Sequence, residues 1–156
     1  MDEKQFTEAV RQHQKLLFHI SYTMLRNQQD CADAVQEALL LAWRGREKLR
    51  DAQAVKAWLC RILVNVCNSA LRRQKRVRFV EMEDMEAPPQ VDNLALHEAL
   101  SGLQTDLRLP MVMFYMEGFT IDEISKTLRA PTGTIKSRML RARKLLGSML
   151  SEEDFA

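Results

Sequence analysis

The stretch Ile121-Asp-Glu-Ile-Ser-Lys-Thr-Leu128, Arg129-Ala130-Pro131, Thr132-Gly-Thr-Ile-Lys-Ser-Arg-Met-Leu-Arg-Ala-Arg-Lys-Leu-Leu-Gly147 decides the reading of the C-terminal half. A short helical run meets a tight turn, Thr132 is placed to cap the next helix, and that helix is longer and basic. Helix-turn-helix units are written in that order. In the longer run Ile135, Met139, Ala142, Leu146 and Met149 recur at steps of four and three, which predicts one apolar seam turned to a core. The opposite face then carries Lys136, Ser137, Leu140, Arg141 and Lys144. From Arg129 to Gly147 six residues are basic and none is acidic. A helix face that merely meets water mixes its signs; a single-sign face suits a polyanion. Cations reach phosphates, Ser and Arg reach base edges, and Leu140 has the shape to pack on a thymine methyl.

Upstream, Leu94 to Leu103 and Leu107 to Met116 read as two more helices, the second closed by Gly118. Pro110 falls inside the second, so that helix either starts late or bends. Four helices therefore make a C-terminal module over 93–156. Before it the helical period breaks. Glu81-Met-Glu-Asp-Met-Glu86 is an acidic run followed by Pro88-Pro89, which predicts a flexible acidic linker over 79–92.

Residues 1–78 read as a three-helix module. Phe6, Val10, Leu17, Ile20 and Met24 mark a first helix that fades by Asn27. A second is capped by Asp30, carries Ala34, Val35, Ala38, Leu41 and Ala42 inward, and stops at Gly45. Residues 46–53 are polar and lack a period, so a loop is expected. The third helix begins near Ala54, with Val55, Trp58 or Leu59, Ile62, Leu63, Val66 and Ala70 as its core stripe; Trp58 is assigned to the core rather than to base stacking. Opposite that stripe Arg61, Asn65, Asn68 and Arg72 step by four, three and four into the cluster Arg73, Lys75, Arg76 and Arg78. A line of Arg and Asn donors can follow a nucleic-acid backbone and hold a base. On the second helix Asp30, Asp33, Gln36 and Glu37 form an acidic patch. The helix dipole accounts for the first two, and the continuation through Gln36 and Glu37 points to a protein partner.

The whole chain is thus read as all-α: two small helical domains joined by a tether. Hydrophobic residues make up 46% of its 156 residues, enough for packed cores, and the net charge of +2 hides two basic patches. Three cysteines (Cys31, Cys60, Cys67) form no CxxC pair, and three His are scattered. Cys60 and Cys67 lie about 10 Å apart along one helix, too far for a disulfide. Reduced cytosolic thiols are expected, with no metal and no cofactor. No signal peptide and no apolar run of membrane-spanning length is read. The chain offers no Gly-rich phosphate loop, metal cluster or nucleophile elbow, so no catalytic residue and no small-molecule substrate are expected. A conventional repressor or activator also ends in a helix-turn-helix, but it would not need the Asn65/Arg72 stripe or a second tethered module. A structural adaptor would leave both basic faces unexplained.

Asp30-Cys-Ala-Asp-Ala-Val-Gln-Glu-Ala38, Trp58-Leu59, Asn65 with Arg72-Arg73, Glu117-Gly-Phe-Thr-Ile-Asp-Glu-Ile124 and Gly133-Thr-Ile-Lys-Ser-Arg-Met-Leu-Arg-Ala-Arg143 together resemble the extracytoplasmic-function sigma factors, over nearly the whole chain and in order. The resemblance implies a cytoplasmic protein that directs bacterial RNA polymerase to promoters. Residues 1–78 would melt and read the −10 element. Leu49, Arg50, Arg61, Asn65, Asn68, Arg72 and Arg73 would contact it, and a flipped base would lodge near Leu49 and Arg50 beside Asn65. Unstacking that base costs a few kcal/mol, which its pocket must return. Asp30, Asp33, Gln36 and Glu37 would dock on the clamp coiled coil of the polymerase β′ subunit. Thr134, Lys136, Ser137, Arg138, Leu140, Arg141 and Lys144 would read the −35 element, with the β flap as a further polymerase contact. The linker would run through the nucleic-acid channel of the polymerase, and an anti-sigma protein would hold the chain inactive. Four positions depart from the family pattern: Ser69 stands where an acidic residue is usual, Gln104 where Pro often stands, Ser125 replaces Ala, and Arg129 occupies a turn position often held by Gly.

Overall fold

Asp2 opens the first helix by a reciprocal cap: its carboxylate accepts from the Gln5 N–H at 2.7 Å while Gln5 Oε1 accepts from the Asp2 N–H at 3.0 Å. In the computed structural model, which describes residues 1–76 and 99–147, this helix is α1, Glu3–Leu25. It ends at Arg26 in the left-handed region (φ 62°), whose N–H bonds the Tyr22 carbonyl at 2.9 Å. The second helix, α2 (Gln28–Arg44), starts earlier than the sequence suggested. Asn27, not Asp30, is the cap, with its side chain accepting from the Asp30 N–H at 2.9 Å. Asp30 therefore sits in the first turn, where its charge complements the dipole. The expected loop holds two short 3-10 turns, Arg46–Lys48 and Ala52–Ala54, the second opened by Asp51. Single tight turns leave no apolar period to read. The third helix, α3, spans Val55–Arg76.

The chain divides into two units, Met1–Glu86 and Ala87–Ala156. In the first, α1, α2 and α3 pack on one another in all three pairings. Leu17, Ile20 and Met24 of α1 meet Cys31, Ala34, Ala38 and Ala42 of α2 and Leu59, Leu63 and Val66 of α3 in the core. The α3 stripe is broader and rotated relative to the expected one. Cys60, Val64 and Cys67 are also buried, whereas Val55, Trp58, Ile62 and Ala70 are only half-buried. A helix with two neighbours must bury a wider arc than one stripe. On α2 the buried seam follows the four-residue spacing of Ala34, Ala38 and Ala42, which leaves Leu41, expected inside, 43% exposed. Ala52–Gln74 also proves long and apolar enough to cross a membrane by length and composition, contrary to the sequence reading. In this fold its apolar residues pack against α1 and α2.

The second unit is helical over 99–101 and continues as α4 (Thr105–Tyr115), α5 (Ile121–Leu128) and α6 (Thr132–Gly147). Gln104 is extended and its carbonyl accepts from the N–H groups of Leu107 (3.0 Å) and Arg108 (2.8 Å), so α4 starts cleanly without a side-chain cap. Arg108 is buried yet satisfied, donating to the Leu103 carbonyl at 2.7 Å and to Thr105 Oγ1 at 3.2 Å. Pro110 lies in the sixth position of α4, so the helix does not start late. Gly118 (φ 73°) turns the chain left-handed after α4, and Phe119 enters a core of Leu107, Met111, Met113, Ile124, Ile135, Met139 and Leu146. Among the described residues there is no strand. The expected linker over 79–92, Arg78, and Met149 lie outside the described residues, as do the side chains of Lys75 and Arg76.

All three thiols are buried. Burial pushes the Cys67 thiol up to about 12, with Cys31 beside it adding to the shift, and burial likewise raises Cys31. Thiolate is the reactive form, so these groups are inert in the folded chain. A thiol reagent at mildly alkaline pH should therefore label none of them in the native protein and all three in denaturant; rapid native labelling would contradict this burial. Arg129 adopts φ 54° with its side chain exposed. Arg129→Gly should stabilise the second unit by about 1 kcal/mol, read from urea unfolding, because glycine carries no Cβ penalty there.

Candidate nucleic-acid interface

The helix-turn-helix is fastened at each joint. Thr120 Oγ1 accepts from the Glu123 N–H at 3.1 Å while Glu123 Oε1 accepts from the Thr120 N–H at 3.0 Å, a capping box that fixes the start of α5. Arg129 closes α5 by donating its N–H to the Ser125 carbonyl, and Ala130 donates to the same carbonyl at 3.2 Å. The Ser125 hydroxyl donates in turn to the Ala130 carbonyl. Ser125 thus does what the more usual Ala could not: it ties the turn to the helix before it. Thr132, expected to cap α6, is instead its first residue, and the Pro131 carbonyl accepts the first helical bond from Ile135 at 3.1 Å.

On α6 the division of faces is sharp. Ile135, Met139, Ala142 and Leu146 are buried to 1% exposure or less. Lys136, Ser137, Arg141 and Lys144 are exposed, and Leu140 stands 51% exposed among them. Thr134 and Arg138 flank that face and are half-buried. The surface is a cationic strip with a hydroxyl and one apolar side chain in it, which matches phosphates and base edges together.

On α3 Asn65, Asn68, Arg72 and Arg73 are exposed along one side, while Arg61 is half-buried. Ser69 accepts from Arg72 Nη2 at 3.1 Å, so the residue standing in the usual acidic position holds Arg72 along the helix. Asn65 also lines an open groove of about 380 Å³ between α2 and α3, shared with Glu37, Leu41, Lys48, Trp58 and Ser69. Leu49 is half-buried and Arg50 exposed, and neither lines the groove. Sequence reasoning missed Lys48, and it placed Trp58 and Leu41 in the core. Adjacent Leu40 and Leu41 cannot both face inward on a helix whose seam is Ala34, Ala38 and Ala42, and that spacing was the available signal.

On α2 Asp33, Gln36 and Glu37 are exposed, and Leu40 beside them is 48% exposed. Asp30 is set apart from them: it is half-buried and its carboxylate accepts from Gln74 Nε2 of α3 at 3.1 Å. Arg46 stacks over Trp43 at 3.7 Å and donates to its carbonyl at 2.8 Å, and Phe6 meets Trp43 edge-on at 5.2 Å, which holds the first 3-10 turn against α1 and α2. Among the described residues no cluster of His, Cys, Asp or Glu could hold a metal ion.

Two helical units, one ending in a cationic helix-turn-helix, define a DNA-binding transcription protein. Residues 9–77 match the family model for Sigma-70 region 2, and residues 93–146 match that for Sigma-70 region 4. The chain is 34% identical to the ECF RNA polymerase sigma factor SigM of Mycobacterium tuberculosis over 154 residues, 96% of this chain and 79% of the relative. It is 29% identical to the RNA polymerase sigma factor SigV of Bacillus subtilis, over the full length of both. Among solved structures it is similar to the sigma factor RpoE of Bartonella quintana, determined in complex with the anti-sigma factor NepR (TM-score 0.80, 26% identity, 94% of this chain and 96% of that one). The chain belongs to the extracytoplasmic-function family of RNA polymerase sigma factors, which direct polymerase to selected promoters.

The Ser125 hydroxyl is a change on which the turn geometry can be tested. Ser125→Ala should cost about 1 kcal/mol in urea unfolding, the ordinary net worth of one internal hydrogen bond. Wild-type stability in that variant would mean the hydroxyl contributes nothing to the turn.

Proposed function

We propose that the two units divide promoter recognition between them, and that α6 reads the −35 element from the major groove. The observation that carries this is the face of α6 opposite its buried seam, where Lys136, Arg141 and Lys144 are exposed around Ser137 and Leu140, with Leu145 also exposed at its edge. Lys136 and Arg141 supply the base and phosphate donors, Ser137 a short hydroxyl contact, Lys144 a phosphate contact, and Leu140 an apolar surface for a thymine methyl. Thr134 and Arg138 support this set from its edges.

The −10 element falls to the first unit. Asn65, Asn68, Arg72 and Arg73 follow the displaced strand along α3, with Arg61 behind them. Leu49 and Arg50 approach the strand from the segment before α3, and Asn65 serves both the strand and the groove. Unpairing exposes bases that a duplex hides, and the groove edge offers Trp58 and Asn65 for stacking and hydrogen bonding. The α2 surface of Asp33, Gln36 and Glu37, with Leu40 at its centre and Asp30 braced by Gln74, docks on the clamp coiled coil of the polymerase β′ subunit. An acidic helix face with an apolar centre suits a basic amphipathic partner helix. The second unit also meets the β flap. The protein works in the cytoplasm, where polymerase and promoter are, as a binding factor without chemistry of its own. An anti-sigma protein covers these faces when the chain is idle; the Bartonella quintana relative solved with NepR supports that extension.

Transcription by reconstituted holoenzyme separates the three roles. Lys136→Ala and Arg141→Ala should each weaken promoter binding by about 1–3 kcal/mol and relax preference within the −35 element. Asn65→Ala and Arg72→Ala should leave that preference intact and slow strand opening, followed by permanganate reactivity of unpaired thymines. Glu37→Lys should weaken capture by core polymerase. Unchanged promoter choice in both α6 variants would refute the −35 assignment.

A further inference from the structure

Arg143 stands outside the set of residues assigned above to base reading. It follows Lys136 by seven positions, which puts it about 20° from Lys136 around α6 and about 10 Å further along. Its Nε donates to Tyr115 Oη at 2.9 Å, and its guanidinium carbon lies 5.8 Å from the centre of the Tyr115 ring. Tyr115 is the last residue of α4 and is 47% exposed. Phe114 meets its ring edge-on at 5.0 Å. A large aromatic at a helix end is thus fixed in solvent by two contacts, and one of them is a cation. Among the described residues Arg143 pairs with no carboxylate.

The donor inventory of this pair is one-sided. Arg143 uses its Nε–H on Tyr115, which leaves four N–H bonds on its two Nη atoms. Tyr115 Oη accepts from Nε, so its own O–H remains to be donated. Three polar atoms from two helices therefore present donors only, with a full positive charge behind them. A guanine edge also offers two acceptors, N7 and O6, but no net charge, whereas a phosphodiester adds a full negative charge to its acceptors and so suits a donor pair with a cation behind it. A major groove is about 12 Å wide, close to the rise along α6 from Lys136 to Arg143. Where the N-terminal part of α6, with Lys136, meets base edges, Arg143 lies toward the other end of the helix, on the side where the bounding strand runs.

We infer that Tyr115 and Arg143 form a phosphate clamp that fixes the recognition helix on the DNA backbone without reading sequence. The inference rests on the reading of α6 as the duplex-reading helix and adds to it a contact contributed partly by α4. Tyr115 holds the guanidinium in place and donates a second hydrogen bond to the same phosphodiester.

The test uses holoenzyme made from core polymerase and the full chain. Its ligand is a duplex bearing the upstream element of an activated promoter and ending before the segment that melts. Affinity is measured from about 50 to about 200 mM KCl, and Arg143→Ala should flatten the log–log salt slope by about 0.9, the loss of one phosphate contact. Across that fourfold range the variant should then lose about 3.5-fold less affinity than the wild type. Arg143→Gln should do the same, Arg143→Lys should keep the slope, and Tyr115→Phe should keep the slope while weakening binding at every salt concentration. Sequence preference should not change in any of them. A wild-type slope in Arg143→Ala and Arg143→Gln, with the slope of Lys144→Ala still flattened, overturns the clamp alone. Wild-type slopes in all three, with unchanged sequence preference in Lys136→Ala and Arg141→Ala, overturn the reading of α6 itself. Weakened capture by core polymerase with an unchanged slope would make the pair a protein contact and also overturn the clamp.

Discussion

The free face of α6 exists because one narrow seam does all of that helix's packing. Ile135, Met139, Ala142 and Leu146 are at most 1% exposed, and burying each of the larger three contributes roughly 1.5–3 kcal/mol. Nothing on the other side of the helix is required by the fold, so Lys136, Ser137, Leu140, Arg141 and Lys144 can all be given to a ligand. A broader apolar face would bury some of them. A weaker seam would let the helix rotate, and contacts to base edges depend on that rotation. The turn repeats the logic on a smaller scale. The Thr120–Glu123 capping box fixes one end of α5, the Ser125–Ala130 bond and left-handed Arg129 fix the other, and α6 leaves the turn at a set angle.

In the first unit the governing constraint is close approach. Ala34, Ala38 and Ala42 give α2 a thin seam, and Cys60, Leu63, Val64 and Cys67 of α3 fill the space beside it. Because small residues do the packing, the larger Leu40 and Leu41 turn outward, one onto the acidic face and one into the groove with Trp58 and Asn65. The same choice of residues therefore produces both the core and the two surfaces assigned to partners. The cysteines belong to that core as small apolar groups. All three are buried, and burial raises the Cys31 and Cys67 thiols, so they serve the packing rather than present a reactive thiolate.

Helices, their order and the face of α6 were legible in the sequence because amphipathic periods are long and repetitive. The seam Ile135, Met139, Ala142 and Leu146 and the exposed Lys136, Ser137, Leu140, Arg141 and Lys144 follow directly from spacing, and the family resemblance rested in part on the same stretch, together with Asp30–Ala38, Trp58-Leu59, Asn65 with Arg72-Arg73 and Glu117–Ile124. Joints were less legible. Asn27 and Asp30 are equally good cap types three residues apart, and only geometry shows that Asn27 holds the cap. The α3 stripe was misjudged at Val55, Trp58, Ile62 and Ala70, since one period cannot reveal a helix packed on two sides. The groove of Glu37, Lys48, Trp58 and Asn65 and the pairing of Tyr115 with Arg143, 28 residues apart, are tertiary and leave no trace in local pattern.

The most direct measurement is run-off transcription by core RNA polymerase, with and without this chain, on a library of promoter fragments. The account predicts initiation only when the chain is present, at start sites that share one −35 and −10 pair. Retention of duplex DNA by the chain alone, with no capture of core polymerase and no initiation, would contradict it.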